Sequence, residues 1–100
     1  MDKIHHMAIQ VQDIEASIAW YSQHFTFNIL YQDVSWALLE FDNIKLAFVL
    51  PQQHPPHLAF VKEDAEKYGP LVKHRDGTSS IYIDDPSNNY LEIMAPHEIL

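Results

Sequence analysis

Two runs in this 100-residue chain open on a histidine and then alternate like strands: His6-Met7-Ala8-Ile9 and His57-Leu58-Ala59-Phe60. Side chains of an extended segment alternate between faces, so His6, Ala8 and Gln10 share one face while Met7, Ile9 and Val11 share the other. His57, Ala59 and Val61 repeat that division. A second pair of segments aligns without a gap, Leu46-Ala47-Phe48-Val49-Leu50-Pro51 against Leu91-Glu92-Ile93-Met94-Ala95-Pro96, which makes Ala47 and Glu92 equivalent positions. The histidines are 51 positions apart and the later segments 45 apart, so the second copy is the shorter one, and the loss is assigned to its helix. A chain that repeats a strand-rich unit must bury the same apolar face twice. The pattern predicts a sheet with its back on helices and its front, where the histidines lie, on a cavity.

The first copy reads as βαβββ. Asp13 is placed to cap a helix and Glu15 falls in its first turn, where negative charge suits the helix dipole. The helix is expected from about Ile14 to Phe25, with Ile14, Ile18, Tyr21 and Phe25 as its buried stripe. Three strand-like runs follow up to Pro51, separated near Asp33-Val34-Ser35 and Asp42-Asn43. Gln52-Gln53-His54-Pro55-Pro56 can neither continue a helix nor sit in a central strand, and is the expected connector. The second copy begins at His57, with a strand to Val61, a short helical segment near Glu63 to Tyr68 and a break at Gly69-Pro70. Turn residues at Asp76-Gly77 and from Asp84 to Asn89 isolate Ser79 to Ile83 and Tyr90 to Met94 as a terminal hairpin. The expectation is one domain over residues 1–100, with module 1 over about 1–51, a connector over about 52–56 and module 2 over about 57–96.

Composition narrows the function. With 47% hydrophobic residues, 20% charged and two glycines, a packed globular core is expected. The net charge of −8 argues against nucleic acid and anionic membranes, whose affinity comes largely from Lys and Arg. No apolar run approaches the roughly 20 residues of a membrane span, and Met1-Asp2-Lys3 is followed by no signal-peptide core, so a cytoplasmic location is expected. The absence of cysteine removes disulfides and thiolate chemistry. Any metal must sit on nitrogen and oxygen.

Two histidines and a carboxylate on repeated strands suit a facial triad that leaves coordination positions open for substrate or water. Such a set fits Fe, Mn, Ni, Co or Zn as the divalent ion. A lone strand histidine is more often a partly exposed or hydrogen-bonded residue; the repeat favours the ligand reading, because duplicated strands carry His6 and His57 to equivalent places with Glu92 on the same front face.

These segments, in order, resemble the vicinal oxygen chelate superfamily, which includes glyoxalase I, bleomycin- and fosfomycin-resistance proteins, methylmalonyl-CoA epimerase and extradiol dioxygenases. The resemblance is carried by His6 to Val11, Asp13-Ile14-Glu15, Ser17, Trp20-Tyr21, His57-Leu58-Ala59-Phe60, Asp85-Pro86 and Asn89-Tyr90-Leu91-Glu92-Ile93. It implies an α+β, glyoxalase-like fold: two βαβββ modules forming a cupped mixed sheet, the second shortened, around a divalent metal held by His6, His57 and Glu92. Relatives often take a fourth ligand from the position of Ala47, which cannot bind metal. That departure argues against glyoxalase I and towards three-ligand branches. The dioxygenases, however, are usually longer, and the resistance enzymes place a hydroxyl-bearing residue near Ala8. Thr26 and Asn88 stand where glycines are usual, and Asn88 tolerates a left-handed backbone.

Other residues are candidates as well. Tyr82 shares a face with Ser80 and is a candidate to donate a hydrogen bond or proton to substrate. Arg75, after His74, is a candidate for an anionic substrate group, although a surface ion pair explains it equally well. With Glu92, these make up the expected catalytic set of Tyr82, Glu92 and Arg75. Gln10 and Glu40 can face the cavity, Glu40 as a base; Trp36, Leu38, Val49 and Met94 can wall it. His5 is expected on the surface or at a cap, with a ligand role as the alternative, and His54 as a solvated loop residue, with reach to the cavity mouth as the alternative. The leading expectation is a metal-dependent enzyme of isomerase, lyase or dioxygenase type acting on a small molecule that chelates the ion through oxygens. The alternative is a metal-free small-molecule binding protein of the bleomycin-resistance type. Exposed strand edges and the habit of relatives predict a homodimer.

Overall fold

A computed structural model describes residues 1–96. The described chain forms two compact units, one of residues 6–56 and one of residues 57–96 together with Met1–His5. Strand β1 (Lys3–Gln10) therefore contributes its first residues to the second unit and the rest to the first.

In the first unit β1 is followed by helix α1 (Ile14–His24) and strands β2 (Asn28–Gln32), β3 (Trp36–Glu40) and β4 (Lys45–Val49). The strand order is β2-β3-β4-β1, with β4 parallel to β1 and the other neighbours antiparallel. The helix begins where Asp13 accepts a 2.8 Å hydrogen bond from the Ala16 amide, as its capping position requires. Ile14 and Ile18 pack with Ala37, Leu39 and Phe48 into the core of this unit, and the Tyr21 ring meets Phe48 edge-on at 4.8 Å. Those strand residues all lie on the face opposite His6 and Ala8. Phe25 departs from the expected stripe. It is the extended residue that ends the helix and lies half exposed, its ring 5.9 Å from Tyr21, because the chain has already turned away.

The second unit holds β5 (His57–Val61), a 3₁₀ turn (Ala65–Tyr68), β6 (Val72–Lys73), β7 (Ser79–Asp84) and β8 (Tyr90–Met94). Its strand order is β5-β8-β7-β6, with β8 parallel to β5. This is the first unit's arrangement again, with the first strand beside the last. The registers agree as well: His6 faces Lys45 and Ala8 faces Ala47, while His57 faces Tyr90 and Ala59 faces Glu92. The equivalence of Ala47 and Glu92 follows directly. In place of an α-helix stands the 3₁₀ turn, which accounts for the shorter copy; fully buried Ala65 seats it on β7 and β8. After it, Gly69 adopts φ +142, a backbone conformation that favours glycine.

Aspartates shape the turns. Asp85 accepts from the amides of Ser87 and Asn89 and from the Asn89 side chain, and those bonds hold its carboxyl below the usual range. Asn88 takes the left-handed conformation at φ 65. This turn fixes the β7–β8 register and with it the face on which Glu92 emerges, since a slip of one residue would reverse every side chain. In the first unit Asp33 accepts from the Ser35 amide and hydroxyl, the Trp36 amide and the Tyr31 hydroxyl. Burial opposes its ionisation, but these donors outweigh it and hold its carboxyl well below the usual range. A depressed folded-state pKa stabilises the protein above the unfolded value of 3.8 and stops doing so as pH falls below it. Asp33→Ala should therefore cost about 1 kcal/mol at pH 7, as the loss of a capping carboxylate does. In urea melts its deficit against wild type should shrink as pH falls from 4 towards 2; a gap independent of pH would contradict the assignment.

Candidate metal and substrate site

The second unit gathers the polar side chains. His57 opens β5 and Glu92 lies in the middle of β8, both nearly inaccessible at 7% and 5% exposure. Ala59, two residues after His57 and the register partner of Glu92, is fully buried and too small to fill the front face. The gap lets the His57 ring lean along the sheet, so that Nε2 lies 3.2 Å from Oε1 of Glu92. The other carboxylate oxygen, Oε2, accepts a 2.6 Å hydrogen bond from the Ser80 hydroxyl on β7. Leaving a charge in the interior costs several kcal/mol unless it is paired and hydrogen-bonded. Each Glu92 oxygen has such a contact.

Tyr82 lies opposite Glu92 in the β7–β8 register. Its ring stands edge-on to the His57 imidazole at 5.0 Å and its hydroxyl is 3.5 Å from Nε2. Burial, and secondarily the charge of Glu92, push the phenol pKa up, so Tyr82 keeps its proton and acts as a hydrogen-bond donor. His74, on the loop after β6, carries no signal in the sequence beyond its place next to Arg75. Its Nε2 lies 2.6 Å from the Ser80 hydroxyl and 3.7 Å from Oε2 of Glu92. Arg75 is exposed on the same loop. The pairing of a loop residue with a strand residue across the Asp76-Gly77 turn leaves no periodic trace. A polar residue on the front face of β7, Ser80, was the available hint.

His6 occupies in β1 the register position that His57 holds in β5, and is buried at 8% exposure. His5, its neighbour, is half buried. Other expected front-face residues have structural partners. Gln10 donates to the backbone carbonyl of His54 at 2.9 Å and ties the connector to β1. Glu40 accepts from Asn28 at 3.0 Å near the edge of the sheet, beside an open depression of about 420 Å³ lined by Thr26, Phe27, Asn28, Glu40, Phe41 and Asp42. None of those lining residues is His6, His57 or Glu92, so the depression is separate from the histidine and carboxylate set. Trp36 stacks on Tyr31 at 4.4 Å, while Leu38, Val49 and Met94 are buried.

Residues 3–71 match the profile of the Glyoxalase/Bleomycin resistance protein/Dioxygenase superfamily. The chain belongs to that superfamily. The matched stretch contains His6 and His57 and stops short of Glu92, whose place rests on the repeat and the register. The fold agrees with solved structures. A hypothetical protein from Bacillus halodurans C-125 is similar at TM-score 0.76 and 16% identity, over 99% of this chain and 97% of that one. A superfamily member from Vibrio splendidus 12B01 is similar at TM-score 0.71 and 11% identity, over 96% and 100%. A Legionella pneumophila protein named NAD-dependent benzaldehyde dehydrogenase is similar at TM-score 0.66 and 14% identity, over 91% and 97%. At such identities the likeness is one of fold alone. No curated protein matches the sequence. Among the described residues no helix is long and apolar enough to cross a membrane.

Ser80 closes a short hydrogen bond onto the buried Glu92 carboxylate. Ser80→Ala should cost about 1–3 kcal/mol of unfolding free energy. Denaturant titration checks it; a variant as stable as the wild type would contradict the assignment.

Proposed function

We propose that this protein is a metal-dependent enzyme acting on a small molecule that offers two oxygens to a divalent ion held by His6, His57 and Glu92. The observation that carries the reading is the buried pair of His57 Nε2 and Glu92 Oε1 at 3.2 Å, with the second carboxylate oxygen engaged by Ser80. The donor set fits the ion: imidazole nitrogens and a carboxylate suit Fe, Mn, Co, Ni or Zn, and a partner on the ligand's other oxygen is the usual outer support. His6 is included because it is the register counterpart of His57. Glu92 has Ala47 as its counterpart, so the proposed set has three protein ligands and open positions for substrate.

The bound ion would supply Lewis acidity towards the substrate oxygens, a device that isomerase, lyase and dioxygenase chemistry can each use. The chain's own residues do the rest. Tyr82, protonated and beside His57, donates a hydrogen bond to developing negative charge. Arg75, on the loop next to His74, is the residue proposed to hold an anionic group of the substrate. Ala8 and Ala59 keep the front faces of β1 and β5 free of bulk. The reading includes a cytoplasmic location, and a homodimer formed through the edges of β2 or β6, which end the strand order among the described residues.

Elemental analysis of protein purified without an affinity tag should find close to one divalent ion per chain, reduced at least tenfold in His57→Ala and in His6→Ala. Absence of metal from the wild-type protein, with retained binding of aromatic or peptide-like drugs, would replace this reading by a metal-free binding protein. For assembly, sedimentation equilibrium at micromolar concentration should give twice the 11.6 kDa chain mass; a monomer would remove the dimer.

A further inference from the structure

The His74, Ser80 and Glu92 side chains form a line within the second unit. Ionised Glu92 is an acceptor only, so the Ser80 hydroxyl, 2.6 Å from Oε2, donates its single proton there. That leaves the Ser80 oxygen to accept. His74 Nε2, 2.6 Å away, then carries a proton and donates it to that oxygen. The order runs from His74 through Ser80 to Glu92. A hydrolytic triad requires the reverse, with serine donating to histidine, and a nucleophile open to substrate. Ser80 is 1% exposed and donates to the carboxylate, so the line is not a nucleophile and its base.

What it does is hold one oxygen of Glu92 in place. Oε2 is engaged by Ser80 and lies 3.7 Å from His74, while Oε1 points to Nε2 of His57. We propose that His74 and Ser80 are positioning residues that lock the Glu92 carboxylate so that it binds a divalent metal through Oε1 alone. The inference rests on the metal reading above and adds to it the mode of carboxylate binding and the residues that enforce it. One-oxygen ligation matters because a carboxylate free to rotate would close on the ion with both oxygens and occupy a position needed by substrate. Both supporting residues come from the hairpin side of the unit. His74 is held near Ser80 by the tight turn in which its amide donates to the Thr78 carbonyl at 2.7 Å and Asp76 accepts from the Thr78 amide and hydroxyl.

Co(II) alone serves as probe, with dissociation constants from chelator competition and the visible ligand-field spectrum as a report on coordination. Ser80→Ala and His74→Ala should each weaken Co(II) binding about 10–100-fold, the usual cost of losing an outer partner of a ligand, and should shift the ligand-field bands. His74→Gln, which keeps an N–H at nearly the same reach, should restore affinity and spectrum. Circular dichroism establishes that the variants are folded. Should Ser80→Ala fail to fold, the half-buried loop residue His74 decides through its Ala and Gln forms. Wild-type affinity and spectrum in folded His74→Ala would overturn the inference while leaving the metal site standing, as would a His74→Gln protein as impaired as His74→Ala. Failure of wild-type protein to bind Co(II) would instead overturn the metal reading, and this inference with it.

Discussion

In each unit the first strand lies parallel to the last, and the remaining features of the fold follow from that pairing. A parallel neighbour cannot be reached through a tight turn, so the intervening elements must cross over and return, and the crossover supplies the layer behind the sheet. In the first unit that layer is α1, capped by Asp13 and seated through Ile14 and Ile18. In the second it has shrunk to one 3₁₀ turn anchored by Ala65. The register survives this reduction: His6 stands to Ala47 in β1 and β4 as His57 stands to Glu92 in β5 and β8.

What differs between the copies is the chemistry placed on the common frame. The positions held in the second unit by Ser80, Tyr82 and Glu92 are held in the first by Trp36, Leu38 and Ala47. One copy stacks an aromatic and buries aliphatic side chains; the other buries a carboxylate with the hydroxyl and imidazole groups that make its burial tolerable. A duplicated sheet can do this because each strand position faces the same direction in both copies, so a substitution changes chemistry without changing direction. The membership of the superfamily agrees with the frame, and the broken symmetry is where the individual character of this chain lies.

Much of this was legible in the residues because it is periodic. Alternation in the two histidine-led runs gave strands and faces, Asp13 marked the start of the helix, and the ungapped match of residues 46–51 with 91–96 gave the equivalence that the registers display. The less legible features depend on geometry between segments. The helix ends one residue before Phe25, whose apolar character suggested burial but whose extended backbone leaves it half exposed. Gln10 and Glu40 lie in strands as expected, yet are taken up by the His54 carbonyl and Asn28. His74 reaches Ser80 because a turn built on Asp76 and Thr78 folds the loop back, and no spacing rule reveals that.

Glu92 and His57 are proposed to form half of a metal site within the second unit, with Glu92 held to one-oxygen binding. A crystal structure of the Co(II)-loaded protein, with anomalous scattering recorded at the cobalt edge, tests it most directly. The account predicts one peak per chain at about 2.0–2.2 Å from His57 Nε2 and Glu92 Oε1, typical of divalent metal bonds to such donors, with Ser80 still on Oε2. A peak elsewhere, or one bonded to both Glu92 oxygens with Ser80 displaced, would contradict it.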